Sequence, residues 1–64
     1  MIIERAVPFE ELEEIRRKSG AEVKLTLLGN IERNGIVLNR VLVEGPPEEI
    51  ERFMGKLRLA RAGG

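Results

Sequence analysis

The chain has no Cys, His, Asp, Tyr, Trp or Gln among its 64 residues, and its only aromatic side chains are two Phe. These absences remove most groups that serve enzymes as nucleophiles, as acids and bases titrating near neutrality, or as ligands for zinc and other soft metals. No disulfide and no His/Cys zinc set is available to staple a chain this short. Without Asp, a hard-cation loop lacks its commonest ligand. The polar chemistry that remains is Glu, Arg, Lys, Asn and the single hydroxyls of Ser19 and Thr26. The composition therefore argues against catalysis: it assigns no catalytic residue, no metal ligands and no cofactor.

What is present is dense, balanced charge. Eleven acidic side chains meet eleven basic ones, so no net field draws the protein toward nucleic acid. No apolar run approaches the roughly 20 residues of a membrane span, and Met1-Ile2-Ile3 is cut off by Glu4 and Arg5. With no signal peptide legible, the expectation is a soluble, cytoplasmic protein with no membrane partner. Abundant Glu and Arg without Gln or Cys fit a heat-adapted source. A single domain this small buries only about 60% of its unfolded surface. Self-association is the expected source of the missing stability, so the first expected partner is a second copy.

Residues Met1 to Val7 are β-branched and alternating enough to predict a strand. Pro8 stands where a helix begins, and Phe9, Leu12, Ile15 and Arg16 follow helical spacing. Glu10, Glu11, Glu13 and Glu14 fill the early turns, Arg16, Arg17 and Lys18 the last, which complements the helix dipole. Gly20 is the expected stop. Ala21, Val23, Leu25 and Leu27 then alternate with polar residues as a half-buried strand. Asn34-Gly35 is the favoured pair for a two-residue type I′ hairpin turn, which extends this strand to about Arg33 and starts the next near Ile36. Gly45-Pro46-Pro47 ends that third strand at Glu44 and opens a second helix, in which Ile50, Phe53, Met54 and Leu57 form one apolar stripe. Residues 1–61 make one domain, and residues 62–64 read as a flexible tail.

The order β-α-β-β-α predicts an α+β open sandwich of the ferredoxin-like type: a three-stranded antiparallel sheet, two helices on one face, and the final strand absent. The first strand then becomes an open edge, which invites pairing with another chain. An uninterrupted ladder from the Asn34-Gly35 turn would set Leu25 opposite Glu44. One bulge near Gly29-Asn30 instead pairs Leu27 with Val41 and Leu25 with Val43, and Gly is what a bulge prefers. That register turns Leu28, Ile36, Leu38 and Leu42 to the side away from the helices, where a broad apolar face marks an oligomer interface.

Two resemblances follow from these segments. Leu28-Gly29-Asn30-Ile31-Glu32, with Val41-Leu42-Val43-Glu44-Gly45 and Glu48-Glu49-Ile50-Glu51, resembles the NIL domain, a module similar in fold to ACT domains. The resemblance implies a ferredoxin-like regulatory unit that pairs with itself and senses a small ligand such as an amino acid. Leu12 through Val23, in particular Glu14 through Val23, with Val41 through Ile50, is similar to the second helix and following strand, and to the last strand and final helix, of a KH domain. The GXXG loop with which that family clamps a nucleic-acid backbone is missing, so this likeness carries topology more than function. Gly63-Gly64 is similar to the tail of ubiquitin-like modifiers, whose element order differs.

The remaining polar groups have two readings each. The Glu clusters are explained by their places at helix starts. Arg52, Lys56, Arg58 and Arg61 form an acid-free C-terminal run. It is either a nucleic-acid patch or a dipole complement joined by helical pairs such as Glu48–Arg52, with no aromatic residue to stack on bases. Asn30, Asn39, Arg33 and Arg40, gathered near the expected bulge, are either a binding cluster for a carboxylate or phosphate or the solvated edge of an extended hairpin. The leading expectation is a non-enzymatic, homo-oligomeric module that binds a small ligand or a protein partner. The alternative is a KH-like RNA- or DNA-associated protein using the basic second helix.

Overall fold

In a computed structural model, which describes residues 1–61 and side chains through Ala60, the elements run β1 (Ile2–Arg5), α1 (Phe9–Ser19), β2 (Lys24–Arg33), β3 (Ile36–Glu44) and α2 (Pro47–Arg61). Both helices start on a proline-bearing turn. The Pro8 carbonyl accepts the amides of Glu11 and Leu12 at 3.0 and 3.2 Å, and the Pro46 carbonyl accepts those of Glu49 and Ile50, each at 3.0 Å. Proline suits this place because the first helical N–H groups have no partner inside the helix. At its other end α1 closes on Gly20, whose amide donates to the Arg17 carbonyl. The Ser19 hydroxyl donates to the Arg16 carbonyl at 2.8 Å and accepts the Ala21 amide at 3.0 Å, fixing the exit.

The sheet is antiparallel in the order β1-β3-β2, so β1 and β2 are its edges. Asn34 and Gly35 both take positive φ, 55° and 81°, as a type I′ turn requires. From there the ladder pairs Arg33 with Ile36, Ile31 with Leu38 and Gly29 with Arg40; it then shifts, pairing Leu27 with Val41 and Leu25 with Val43. Leu28 is the inserted residue, one position before the expected Gly29-Asn30. Gly29 at φ 146° supplies the backbone freedom of the irregularity. The consequence is the expected one: apolar Leu25 faces apolar Val43, and Glu44 is left to Lys24.

Two strands are shorter than their alternation predicts. β1 covers Ile2–Arg5 rather than Met1 to Val7, although Met1 still exchanges backbone bonds with Val43. Val7 leaves the ladder to bury its side chain in the core. Residues 21–23 likewise stand outside β2. Their period-two pattern buries Ala21 and Val23, but the Glu22 amide donates to the Glu49 carboxylate at 2.9 Å instead of a neighbouring strand.

Both helices cover the Val41/Val43 face. The core holds Ile3, Leu25, Val41 and Val43 from the sheet, Leu12 and Ile15 from α1, and Phe53, Met54 and Leu57 from α2, with Val7, Ala21 and Val23 from the connections. Phe9 and Ile50 pack at its margin. The predicted α2 stripe is thus the buried one. The expected tail, residues 62–64, lies outside the described residues.

Candidate functional site

Strand alternation assigns the two sides of the sheet, because directly paired residues share a face and successive residues do not. Val41, Val43, Leu25 and Ile3 share the helix side with Leu27, Val37, Asn39 and Asn30. On the open side lie Ile2, Glu4, Thr26, Leu28, Ile31, Arg33, Ile36, Leu38, Arg40 and Leu42. All four side chains expected at an oligomer interface, Leu28, Ile36, Leu38 and Leu42, therefore fall on one face. Leu28 and Ile36 are 48% and 55% exposed, while Leu38 and Leu42 are half-buried. The hairpin also outruns the helices on their own side, so Leu27 and Val37 are 47% and 57% exposed. The distal hairpin thus carries exposed apolar side chains on both faces.

Glu4 crosses this open face with charge. It stands directly opposite Arg40 in the β1–β3 ladder. Its carboxylate meets Arg33 Nη1 at 3.0 Å through Oε1 and Arg40 Nε at 3.3 Å through Oε2. Arg33 belongs to β2, so its guanidinium spans the central strand to reach β1. Arg40 Nε is closed to solvent and in ion-pair contact without hydrogen-bond alignment. The triad was hidden from sequence reasoning because Glu4 is remote in the chain from both arginines and comes beside them only through the β1–β3 register.

The expected Arg/Asn cluster is consequently divided by the sheet. Arg33 and Arg40 are on the open side with Glu4. Asn30 and Asn39 are paired on the helix side, where the Asn39 Nδ2 donates to the Val7 carbonyl at 2.8 Å and ties the β1–α1 connection to β3. The basic run of α2 does not present a single face either. Arg52 pairs with Glu49 at 3.5 Å, not with the expected Glu48. Lys56 lines a groove with Glu11, Glu14 and Lys18 of α1. Arg58, six residues beyond Arg52 and so on another side of the helix, lines a different groove with Arg5. The side chain of Arg61 lies outside those described. Among the described residues no group of three or more Glu is placed to hold a metal ion, and no helix is long and apolar enough to cross a membrane.

A family model, CHP_AF_0576, with the description "Uncharacterised protein", matches residues 1–64. The chain belongs to this family. The match spans the whole sequence, so the sheet surface, the Glu4 triad and both grooves all lie within the CHP_AF_0576 region. No curated protein and no solved structure matches the chain.

Proposed function

We propose that this protein is a non-enzymatic module that works by associating with further copies of itself through the part of the sheet its helices leave uncovered. The observation that carries the reading is the distal hairpin, with Leu28 and Ile36 exposed on one face and Leu27 and Val37 on the other. A strand apolar on both sides has the composition of one buried on both sides, and the two helices that the described residues of one copy form both cover the proximal half of the sheet. Large exposed apolar patches on small proteins mark interaction surfaces.

A second copy is the occupant this surface suits. The chain is at the size where one core supplies little stability, and its zero net charge opposes no self-association. The Glu4 triad supports the same reading, because it offsets one of its two arginine charges on the open face within the protomer. The test is size-exclusion chromatography with light scattering on the full chain at micromolar concentration. The expected mass is at least twice the 7.2 kDa of the protomer; a protomer mass at every concentration removes the proposal.

A further inference from the structure

Most basic side chains of this protein have an acid within reach. Arg16 pairs with Glu13, Arg17 and Lys18 with Glu14, Arg33 and Arg40 with Glu4, and Arg52 with Glu49. Of the four described basic residues outside these pairs, Lys24 stands opposite Glu44 in the ladder and Lys56 lines a groove with Glu11 and Glu14, which leaves Arg5 and Arg58. Arg5 ends β1 and Arg58 lies in the last turns of α2, yet both line one groove of about 220 Å³ whose other walls are Ala6, Val7 and Leu57. No acidic residue borders it, and neither guanidinium has an ion pair among the described residues. Two like charges sharing a recess repel one another, an arrangement that is relieved when an anion lies between them.

We infer that this groove binds a small soluble phosphate monoester. The charge matches, since such a group carries about −1.5 to −2 near neutrality and two guanidiniums supply two positive charges. The chemistry of the donors matches too: guanidinium forks suit the oxygens of a tetrahedral oxyanion and can hold them bidentately. The exposed Ala6 side chain offers apolar contact to the carbon part of the ester. The floor is fixed before any ligand arrives, because Val7 and Leu57 are both buried and Asn39 holds the Val7 carbonyl. A preformed floor lowers the ordering cost of binding. This inference is independent of self-association, which uses the sheet rather than the β1–α2 groove.

The test is a nitrogen-15 NMR titration of the full-length chain with phenyl phosphate and with inorganic phosphate, each at constant ionic strength set with chloride. Saturable shifts are expected at Arg5, Ala6, Val7, Leu57 and Arg58, with phenyl phosphate binding more tightly than inorganic phosphate. Arg5→Gln and Arg58→Gln are each expected to weaken binding about tenfold or more, the effect of removing one charged hydrogen-bonding partner. Lys24→Gln removes the same charge from the opposite end of the sheet and is expected to leave binding intact. Shifts that are dispersed or fail to saturate overturn the inference. So does equal weakening by Lys24→Gln, and so does a short oligonucleotide whose binding follows total charge and displaces phenyl phosphate.

Discussion

At the scale of single residues, Gly45 is the clearest point of commitment. It joins β3 to the turn that starts α2 at φ 157°, and a Cβ built there would stand 2.9 Å from the Glu22 carbonyl oxygen and 3.1 Å from Val23 Cγ1. The nearest obstacle is backbone, which cannot swing aside as a side-chain tip would. Gly29 provides the comparison: its φ is also in the region favouring glycine, but a Cβ there meets nothing within 4 Å. Gly29→Ala is therefore expected to cost about 1 kcal/mol, from backbone conformation alone. Gly45→Ala is expected to cost about 2–3 kcal/mol, because the clash adds to the same strain. Urea unfolding checks the pair; equal midpoints for the two variants would show that the Glu22 approach is unimportant. Glu4 makes a second residue-scale prediction. Glu4→Gln removes the shared acid of two arginines and is expected to lower stability by about 1 kcal/mol, the upper end for an exposed pair. Added salt should narrow the gap between variant and parent, and a gap unchanged in 1 M salt would assign the loss to something other than charge.

At the scale of elements, the sequence told most where backbone chemistry decides the outcome. Pro8, Gly20, Asn34-Gly35 and Gly45-Pro46-Pro47 mark turns and helix limits through fixed or positive φ, and the bulge could be foreseen because only a shift near Gly29 keeps Leu25 off Glu44. Strand length was less legible. Ala21 and Val23 alternate as a strand does, but alternation reports burial on one side, not hydrogen bonding to a neighbour, and these residues bury themselves in a connection. The site was legible in part. Leu28, Ile36, Leu38 and Leu42 follow from register alone, whereas the partners of Arg33 and Arg40 depend on where β1 pairs, and the meeting of Arg5 with Arg58 depends on how α2 crosses β1. Asn39 illustrates the difference. It reads as a polar hairpin residue and serves as the bolt between β3 and the β1–α1 connection. Asn39→Ala is expected to cost about 1 kcal/mol, the typical net value of one such bond, and to speed amide hydrogen exchange at Ala6 and Val7 selectively. Uniform acceleration across the sheet would instead mean that the substitution loosens β3 itself.

At the scale of the whole molecule, the fold divides its labour between two ends of one sheet. The proximal end is covered by α1 and α2 and holds the core, centred on Val41, Val43, Phe53 and Leu12, all fully buried. Among the described residues the distal end has strands but no helices, so its exposed apolar side chains contribute fully to stability only when something else covers them. If that cover is a second copy, stability becomes a function of protomer concentration, since dissociation precedes or accompanies unfolding. The thermal midpoint is therefore expected to rise as the protein is concentrated from micromolar to millimolar. Leu28→Lys and Ile36→Lys separate association from folding: both positions are about half exposed in the protomer, where such substitutions change stability by about 0.5 kcal/mol or less, yet each would place a charge in the covered surface. Both variants are expected to run at the protomer mass and to show a thermal midpoint that no longer depends on concentration, while matching the parent at high dilution. A parent whose midpoint is already independent of concentration, or variants that still associate, would mean that the distal hairpin stays uncovered and that the chain stands on its proximal core alone.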